Sequence, residues 1–190
     1  ATGQTPEADL TLGGYLEADQ ISNFIHRCFK IGKILSSPFK RALETIKPLS
    51  VQSGVQIKTV EDLRERLLLS TYDEEPEGTD EMIEASFQDY SLKFAAGAES
   101  SREALDRAMK VINSITEPFT VLVTHGNLLA IILRHLGSDF GSVKIEQLSR
   151  PDLYLVDYEG VPGKTDIMRL WGCTGVLEEL EKLVLKRHKW

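Results

Sequence analysis

The stretch FTVLVTHGNLLAIILRHL, Phe119–Leu136, changes from a strand-like to a helix-like pattern within a few residues. The run up to Thr124 is apolar and rich in β-branched residues, which is typical of a short buried strand. From Asn127 the apolar residues recur at helical spacing, which predicts a helix over Asn127–Leu136. This junction predicts an α/β fold and places His125 at the end of a strand.

The rest of the chain repeats this alternation of strands and helices. Further strands are predicted over Ile34–Leu35, Val55–Val60, Leu153–Tyr158 and Asp166–Trp171. Further helices are predicted over Thr11–Ile31, after Ser36 or Ser37 with Pro38 in the first turn, from Ser100 or Ser101 to Ile115, and over Thr174–Lys186.

Strands that alternate with helices favour a mainly parallel sheet with helices on both faces. The sequence therefore predicts a three-layer α/β/α sandwich. The last two strands are joined by a connection too short for a crossover, so we expect them to form an antiparallel pair. The segment Ser70–Gly97 is acidic and partly helical.

Length and composition limit the classes of protein that the chain can represent. A chain of 190 residues is expected to form a single domain over residues 1–190. Its net charge of −7 argues against general nucleic-acid binding. Two cysteines do not make a disulfide framework, and no apolar run is long enough to span a membrane. No signal peptide is recognisable, so the cytoplasm is the expected compartment.

Ligands of such sheets bind beyond the carboxyl ends of the strands, where His125 is predicted to lie. The backbone N–H groups that open the following helix are suited to a phosphate, and Gly126 lets a ligand approach the backbone closely. A histidine in this position could equally be a structural residue that finishes the strand.

Two other side chains follow predicted strands. Arg41 lies early in a helix, where its planar group of donors could bind two phosphate oxygens; alternatively it is an exposed surface residue. Glu65 follows the strand Val55–Val60. A carboxyl group there could donate a proton to a leaving oxygen if its pKa is raised, or it could be a surface charge.

Five blocks in this order resemble the histidine phosphatase superfamily, which is also called phosphoglycerate mutase-like: LTLGG, SSPFKRALET, DLRE, GAES and VLVTHGNLL. The resemblance covers most of the chain, and the second and last blocks are the most specific. In the first block, LTLGGYLEA, Glu17 stands where the family usually has Gln.

The resemblance implies that a histidine attacks the phosphoryl group and that water then hydrolyses the phosphohistidine. It implies that Arg41 binds the phosphate, that Glu65 donates the proton, and that His125 is a second histidine of the pocket. Gly126 and Asn127 are expected to contact the substrate. No metal or other cofactor is expected.

The attacking histidine has no obvious counterpart in the sequence, since no Arg-His-Gly triplet occurs. Either this signature lies just upstream of Ala1, or Ala1-Thr2-Gly3 is a degenerate copy of it. The first register is favoured, and it makes Gln4 a phosphate-binding candidate. It also predicts an additional N-terminal strand of about 5–6 residues.

The predicted function is hydrolysis of a phosphomonoester on a small phosphorylated metabolite. The alternatives are phosphoglycerate mutase-type transfer, and a non-catalytic phosphate-binding module if the nucleophile is truly missing. The expected partner is a small phosphate ester rather than nucleic acid or a membrane. The oligomeric state is not predicted.

Overall fold

A computed structural model describes residues 5–72, 79–137, 148–158, 160 and 165–171. The helices are α1 (Leu12–Cys28), α2 (Lys40–Ser53), α3 (Thr79–Gln88), α4 (Ser101–Asn113) and α5 (Gly126–Leu136), with a 3-10 turn over Glu61–Leu63. The strands are β1 (Lys33–Ser36), β2 (Ile57–Thr59), β3 (Thr120–Val123), β4 (Tyr154–Asp157) and β5 (Asp166–Arg169).

The strands form a parallel sheet in the order β2-β1-β3 and an antiparallel pair, β4-β5. In the parallel sheet Ile34 lies opposite Ile57 on one side and Val121 on the other. The α/β fold, the parallel sheet and the antiparallel final pair are therefore as predicted.

Helices cover both faces of the sheet. Successive side chains of a strand point to opposite faces, so neighbouring residues pack against different helices. Val121 and Val123 pack against the cluster that contains residues of α1 and α2, whereas Leu122 packs against the cluster that contains residues of α4 and α5. The three-layer arrangement is confirmed.

The β4-β5 pair lies in the same layer as the parallel sheet. Leu155 and Met168 pack with α1 and α2, and Val156 and Ile167 pack with the α4 and α5 cluster. Within the described residues β3 pairs with β1 alone, and its other edge has no strand beside it. An additional strand could pair there, but the predicted N-terminal strand stays a prediction.

The predicted start of α2 is wrong by about one turn of helix. The helix begins at Lys40 and its N-cap is Phe39, so neither Ser36 nor Ser37 caps it and Pro38 precedes it. The two serines are instead buried at the end of β1, where the hydroxyl of Ser37 accepts a hydrogen bond from the Phe39 N–H. The chain bends at Pro38 and Phe39 before the helix begins.

The other predicted elements differ mainly at their ends. The strand expected over Val55–Val60 is limited to Ile57–Thr59. The cap of α4 is Ser100, which forms a reciprocal capping box with Glu103. The helix predicted over Thr174–Lys186 lies outside the described residues.

A close contact at Gly32 fixes the approach of the chain to β1. The Gly32 N–H donates to the carbonyl of Phe119 at 3.2 Å, and a Cβ atom at Gly32 would lie 2.6 Å from the carbonyl oxygen of Pro118. We expect Gly32→Ala to lower the free energy of unfolding by about 1–3 kcal/mol, because backbone would have to move. Urea unfolding measures this loss.

Gly13→Ala is the matched control, because a Cβ atom there meets nothing closer than 3.8 Å and the residue lies in α1. Its stability should be unchanged or slightly higher, since alanine favours helix more than glycine does. Equal losses in the two variants would contradict the steric account.

Candidate active site

The N-terminus of α5 holds the carboxylate of Glu65. Its Oε1 accepts from the N–H groups of Leu128 at 3.0 Å and Arg66 at 2.9 Å, and its Oε2 accepts from the N–H of Asn127 at 3.2 Å. The expectation that the first N–H groups of this helix are free for a phosphate is therefore wrong for Asn127 and Leu128. An internal carboxylate satisfies them, as the helix dipole favours.

Burial and hydrogen bonding act in opposite directions on Glu65. The side chain is only 6% exposed, and burial raises the pKa of its carboxyl group. The three backbone donors and the nearby Arg41 guanidinium lower the pKa, but burial dominates, so the pKa is raised above the usual value. A proton on Glu65 is therefore available closer to neutral pH than on an exposed glutamate.

His125 is buried beside the end of β1. Its Nε2 lies 2.7 Å from the hydroxyl of Ser37, and its ring lies 5.0 Å from the ring of Phe39. Burial lowers the pKa of His125 to about 3, and the positive charges of Arg41 and Arg107 act in the same direction. The imidazole is therefore neutral at pH 7.

Arg41 points into the same region from the first turn of α2. Its Nη1 donates to the carbonyl of Thr5 at 2.7 Å, and its guanidinium lies 5.0 Å from the centre of the Phe39 ring. Burial lowers the pKa of Arg41, although Glu65 acts against this shift. Nη2 is buried and has no hydrogen-bond partner among the described residues.

In the described part of the chain, the side chain of Asn127 also has buried polar atoms without a partner. It is only 4% exposed, and neither its amide nitrogen nor its amide oxygen has a partner among the described residues. Beside it, a Cβ atom at Gly126 would meet no atom within 4 Å. Buried polar groups without partners are rare in folded proteins, and they indicate a place for a polar ligand.

The structure thus brings together Arg41, Glu65, His125 and Asn127, with Gly126 beside them. Gln4 lies outside the described residues. Of the other histidines, His26 is exposed on α1 and His135 is half-buried on α5. His188 also lies outside the described residues.

Sequence reasoning missed three neighbours of the site. Ser37 contacts His125, and Phe39 lies between His125 and Arg41. The hydroxyl of Tyr72 donates to the carbonyl of Glu65 at 2.9 Å. Ser37 could have been found, because it directly follows a buried strand, whereas Tyr72 follows an irregular segment whose path no periodicity predicts.

The described part of the chain contains no cluster of three metal-binding side chains. Within the same residues, no helix has both the length and the hydrophobicity needed to cross a bilayer.

Comparison with known families agrees with this geometry. The model of the histidine phosphatase superfamily (branch 1) matches residues 2–165. The chain belongs to this superfamily. The superfamily assignment supports a phosphatase-type or mutase-like activity. No curated protein sequence matches the chain significantly.

Solved structures show the same fold. Mycobacterial hydrolase 2 is 18% identical, with a TM-score of 0.64 over 92% of this chain and 86% of that protein. Mycobacterial glucosyl-3-phosphoglycerate phosphatase is 20% identical, with a TM-score of 0.60 over 75% and 76% of the two chains. Protein TTHB049 from Thermus thermophilus is 22% identical, with a TM-score of 0.53 over 67% and 70%.

The low pKa of His125 predicts a loss of stability in acid. Below about pH 6.5 the unfolded chain binds a proton at this residue, whereas the folded protein does so only near pH 3. Stability therefore falls as the pH falls through this window, by up to about 1.4 kcal/mol per pH unit. Urea unfolding of the wild type and His125→Gln at several pH values measures the difference.

His26→Gln is the control, because His26 is exposed. Relative to His125→Gln, the wild type should become progressively less stable as the medium is acidified. If the free energies of unfolding of the wild type and His125→Gln differ by the same amount at every pH, His125 is not buried in its neutral form.

Proposed function

We propose that the protein hydrolyses a phosphomonoester of a small metabolite through a phosphohistidine intermediate. The observation that carries the proposal is the group of unpaired polar atoms on Arg41 and Asn127. They lie beside a neutral buried histidine and a buried glutamate with a raised pKa. An anion with several oxygens is the ligand that would satisfy these donors together.

Each side chain has a part in binding the phosphoryl group. The free Nη2 of Arg41 supplies a charged donor, and the amide nitrogen of Asn127 supplies a neutral one. Neutral His125 carries one N–H; with the Ser37 hydroxyl donating to Nε2, the proton is on Nδ1, which donates to a phosphoryl oxygen without adding positive charge. Fixed donors of this kind stabilise charge on the transferring phosphoryl oxygens with little reorganisation.

Glu65 is the proposed proton donor to the leaving oxygen. Its Oε2 accepts one hydrogen bond, of 3.2 Å, whereas Oε1 accepts two shorter ones, so Oε2 is the better place for the proton. A bound phosphate would add negative charge nearby and favour the protonated carboxyl group further. The proton then moves to the departing alkoxide, and the carboxylate that results is stabilised by the backbone N–H groups.

The mechanism also needs a nucleophile. We propose that it is a histidine, as the resemblance to the family implies. Its attack would form an N–P bond as the ester P–O bond breaks, and water would then release inorganic phosphate. The same route serves hydrolysis and mutase-type transfer, which differ in whether water or a second hydroxyl accepts the phosphoryl group.

Hydrolysis is the preferred reaction because the named neighbours include a phosphatase, the mycobacterial enzyme for glucosyl-3-phosphoglycerate. We extend only the type of reaction to this chain and leave the particular ester open. A small phosphorylated metabolite in the cytoplasm is the proposed substrate.

The experiment is hydrolysis of p-nitrophenyl phosphate by the protein expressed from its natural start codon. We expect turnover by the wild type, and we expect Arg41→Ala to lower kcat/KM by about 10²–10³-fold, because the charged phosphate donor is lost. Lys47→Ala is the matched control on the same helix, where Lys47 is exposed.

Tight binding of inorganic phosphate without any turnover would contradict the proposed hydrolysis and favour a non-catalytic phosphate-binding module. Equal activity of the Arg41→Ala and Lys47→Ala variants would remove Arg41 from the site.

A further inference from the structure

We propose that Arg107 and Glu99 form a positioning pair that holds Glu65 against the N-terminus of α5. This assignment rests on the proposed function, because it concerns the residue that donates the proton. Neither residue is placed in contact with the substrate.

Glu65 lies in an irregular segment, so no helix or strand hydrogen bonds fix its backbone. The 3-10 turn ends at Leu63, and residues 64–68 belong to no helix or strand. Such a segment needs partners for its backbone carbonyl groups, since buried carbonyls without partners are costly.

The guanidinium of Arg107 supplies these partners. Its Nη1 donates to the carbonyls of Asp62 at 2.7 Å and Arg64 at 2.9 Å, and its Nη2 donates to the carbonyl of Glu65 itself at 3.2 Å. One rigid group thus contacts three backbone positions around the proton donor.

Glu99 fixes the guanidinium in turn. Its Oε1 and Oε2 accept from the Nε and Nη2 of Arg107, each at 2.9 Å, in a two-bond pairing. Glu99 also accepts from Arg64 at 2.7 Å and from the Leu67 N–H at 3.0 Å, and its own N–H donates to the Leu67 carbonyl at 2.8 Å. The pair therefore contacts the segment on both sides of Glu65.

The charge balance agrees with this arrangement. Burial raises the pKa of Glu99, but the hydrogen bonds from Arg107 and Leu67 outweigh it, and the pKa is lowered overall. Glu99 is therefore ionised at neutral pH and remains the counter-ion of Arg107, while the pKa of Glu65 is raised. Their surroundings therefore favour the ionised form of Glu99, whereas Glu65 keeps a proton more readily than an exposed glutamate.

The position of Arg107 in α4 is unusual for an arginine. It is only 7% exposed and lies between Ala104 and Val111 on the buried face of the helix. A buried ion pair adds little to stability compared with well-packed apolar residues. An apolar residue in that position could not make the three hydrogen bonds to backbone carbonyls that Arg107 makes.

Lysine could not replace this guanidinium. It has one nitrogen, so it cannot donate to three carbonyls and to Glu99 with the fixed planar geometry of arginine. Glu65 would then be free to shift, and a shift of about 1 Å is enough to lower a rate about 100-fold.

The test uses two esters that differ in their need for a proton. The oxygen of β-glycerophosphate leaves as a poor alkoxide and needs protonation, whereas 2,4-dinitrophenolate leaves without it. We expect Arg107→Lys to lower kcat/KM for β-glycerophosphate by about 10–100-fold, while kcat/KM for 2,4-dinitrophenyl phosphate changes by less than about threefold, because kcat/KM reports the step that cleaves the ester.

Glu65→Gln provides the reference pattern. It should show the same selective loss, and the double variant Arg107→Lys/Glu65→Gln should lose little more than Glu65→Gln alone, because the two residues act through one function. Leu105→Ala is the control, since it removes a buried side chain of α4 that makes none of these contacts. It should lower stability and leave the ratio of the two rates unchanged.

An equal loss on both esters, or no loss on either, would overturn the positioning role. If Arg107→Lys does not fold, Glu99→Gln gives the same comparison, because it removes the charge that fixes the guanidinium. A wild-type protein that hydrolyses neither ester would overturn the proposed function, and the positioning role would fail with it. If Glu65→Gln loses activity selectively on β-glycerophosphate but Arg107→Lys and Glu99→Gln do not, the proposed function stands and the positioning role of Arg107 and Glu99 is wrong.

Discussion

The attachment of Glu65 to the N-terminus of α5 is the interaction on which the arrangement of the site depends. It joins the irregular segment after β2 to the helix that follows β3, although these parts are about sixty residues apart in the chain. The carboxylate satisfies N–H groups that an α-helix leaves open at its start. Because those groups are occupied, the proposed phosphate site uses the unpaired side-chain atoms of Arg41 and Asn127 instead.

This arrangement explains why the proposed site combines charged and neutral donors. A helix N-terminus alone would bind an anion of almost any shape, whereas here the guanidinium of Arg41 comes from α2, and the imidazole of His125 and the amide of Asn127 come from the start of α5. His125 contributes as a neutral group, because burial and the neighbouring arginines keep a proton off it. The surroundings of Glu65 have the opposite effect, since burial keeps its proton on more readily. In the proposed mechanism the first group therefore donates a hydrogen bond and the second transfers a proton.

The strand-to-helix pattern of Phe119–Leu136 was sufficient to predict β3 and α5, because apolar periodicity reports directly on burial. The positions of Arg41 and His125 followed, since both lie next to strands that pair in the sheet. The start of α2 could not be predicted in the same way. A serine before a proline fits an N-cap locally, but Ser37 instead contacts His125, which is 88 residues away in the chain.

Arg107 shows the other limit of sequence reasoning. A charged residue on the apolar face of α4 is a signal, yet it does not say which group the charge contacts. Besides Glu99, its partners are backbone carbonyls more than forty residues earlier in the chain, and a carbonyl has no sequence signature. The phosphate-binding role of Gln4 stays a prediction, because Gln4 lies outside the described residues.

The most direct test of a phosphate site at Arg41, His125 and Asn127 is a crystal structure of the protein, expressed from its natural start codon, with bound orthovanadate. We predict vanadate oxygens within about 3.2 Å of the Arg41 Nη2 atom, a ring nitrogen of His125 and the Asn127 amide, because these are hydrogen-bond distances for the donors left unpaired. Vanadate bound elsewhere, with Arg41 Nη2 and Asn127 still unpaired, would contradict the account.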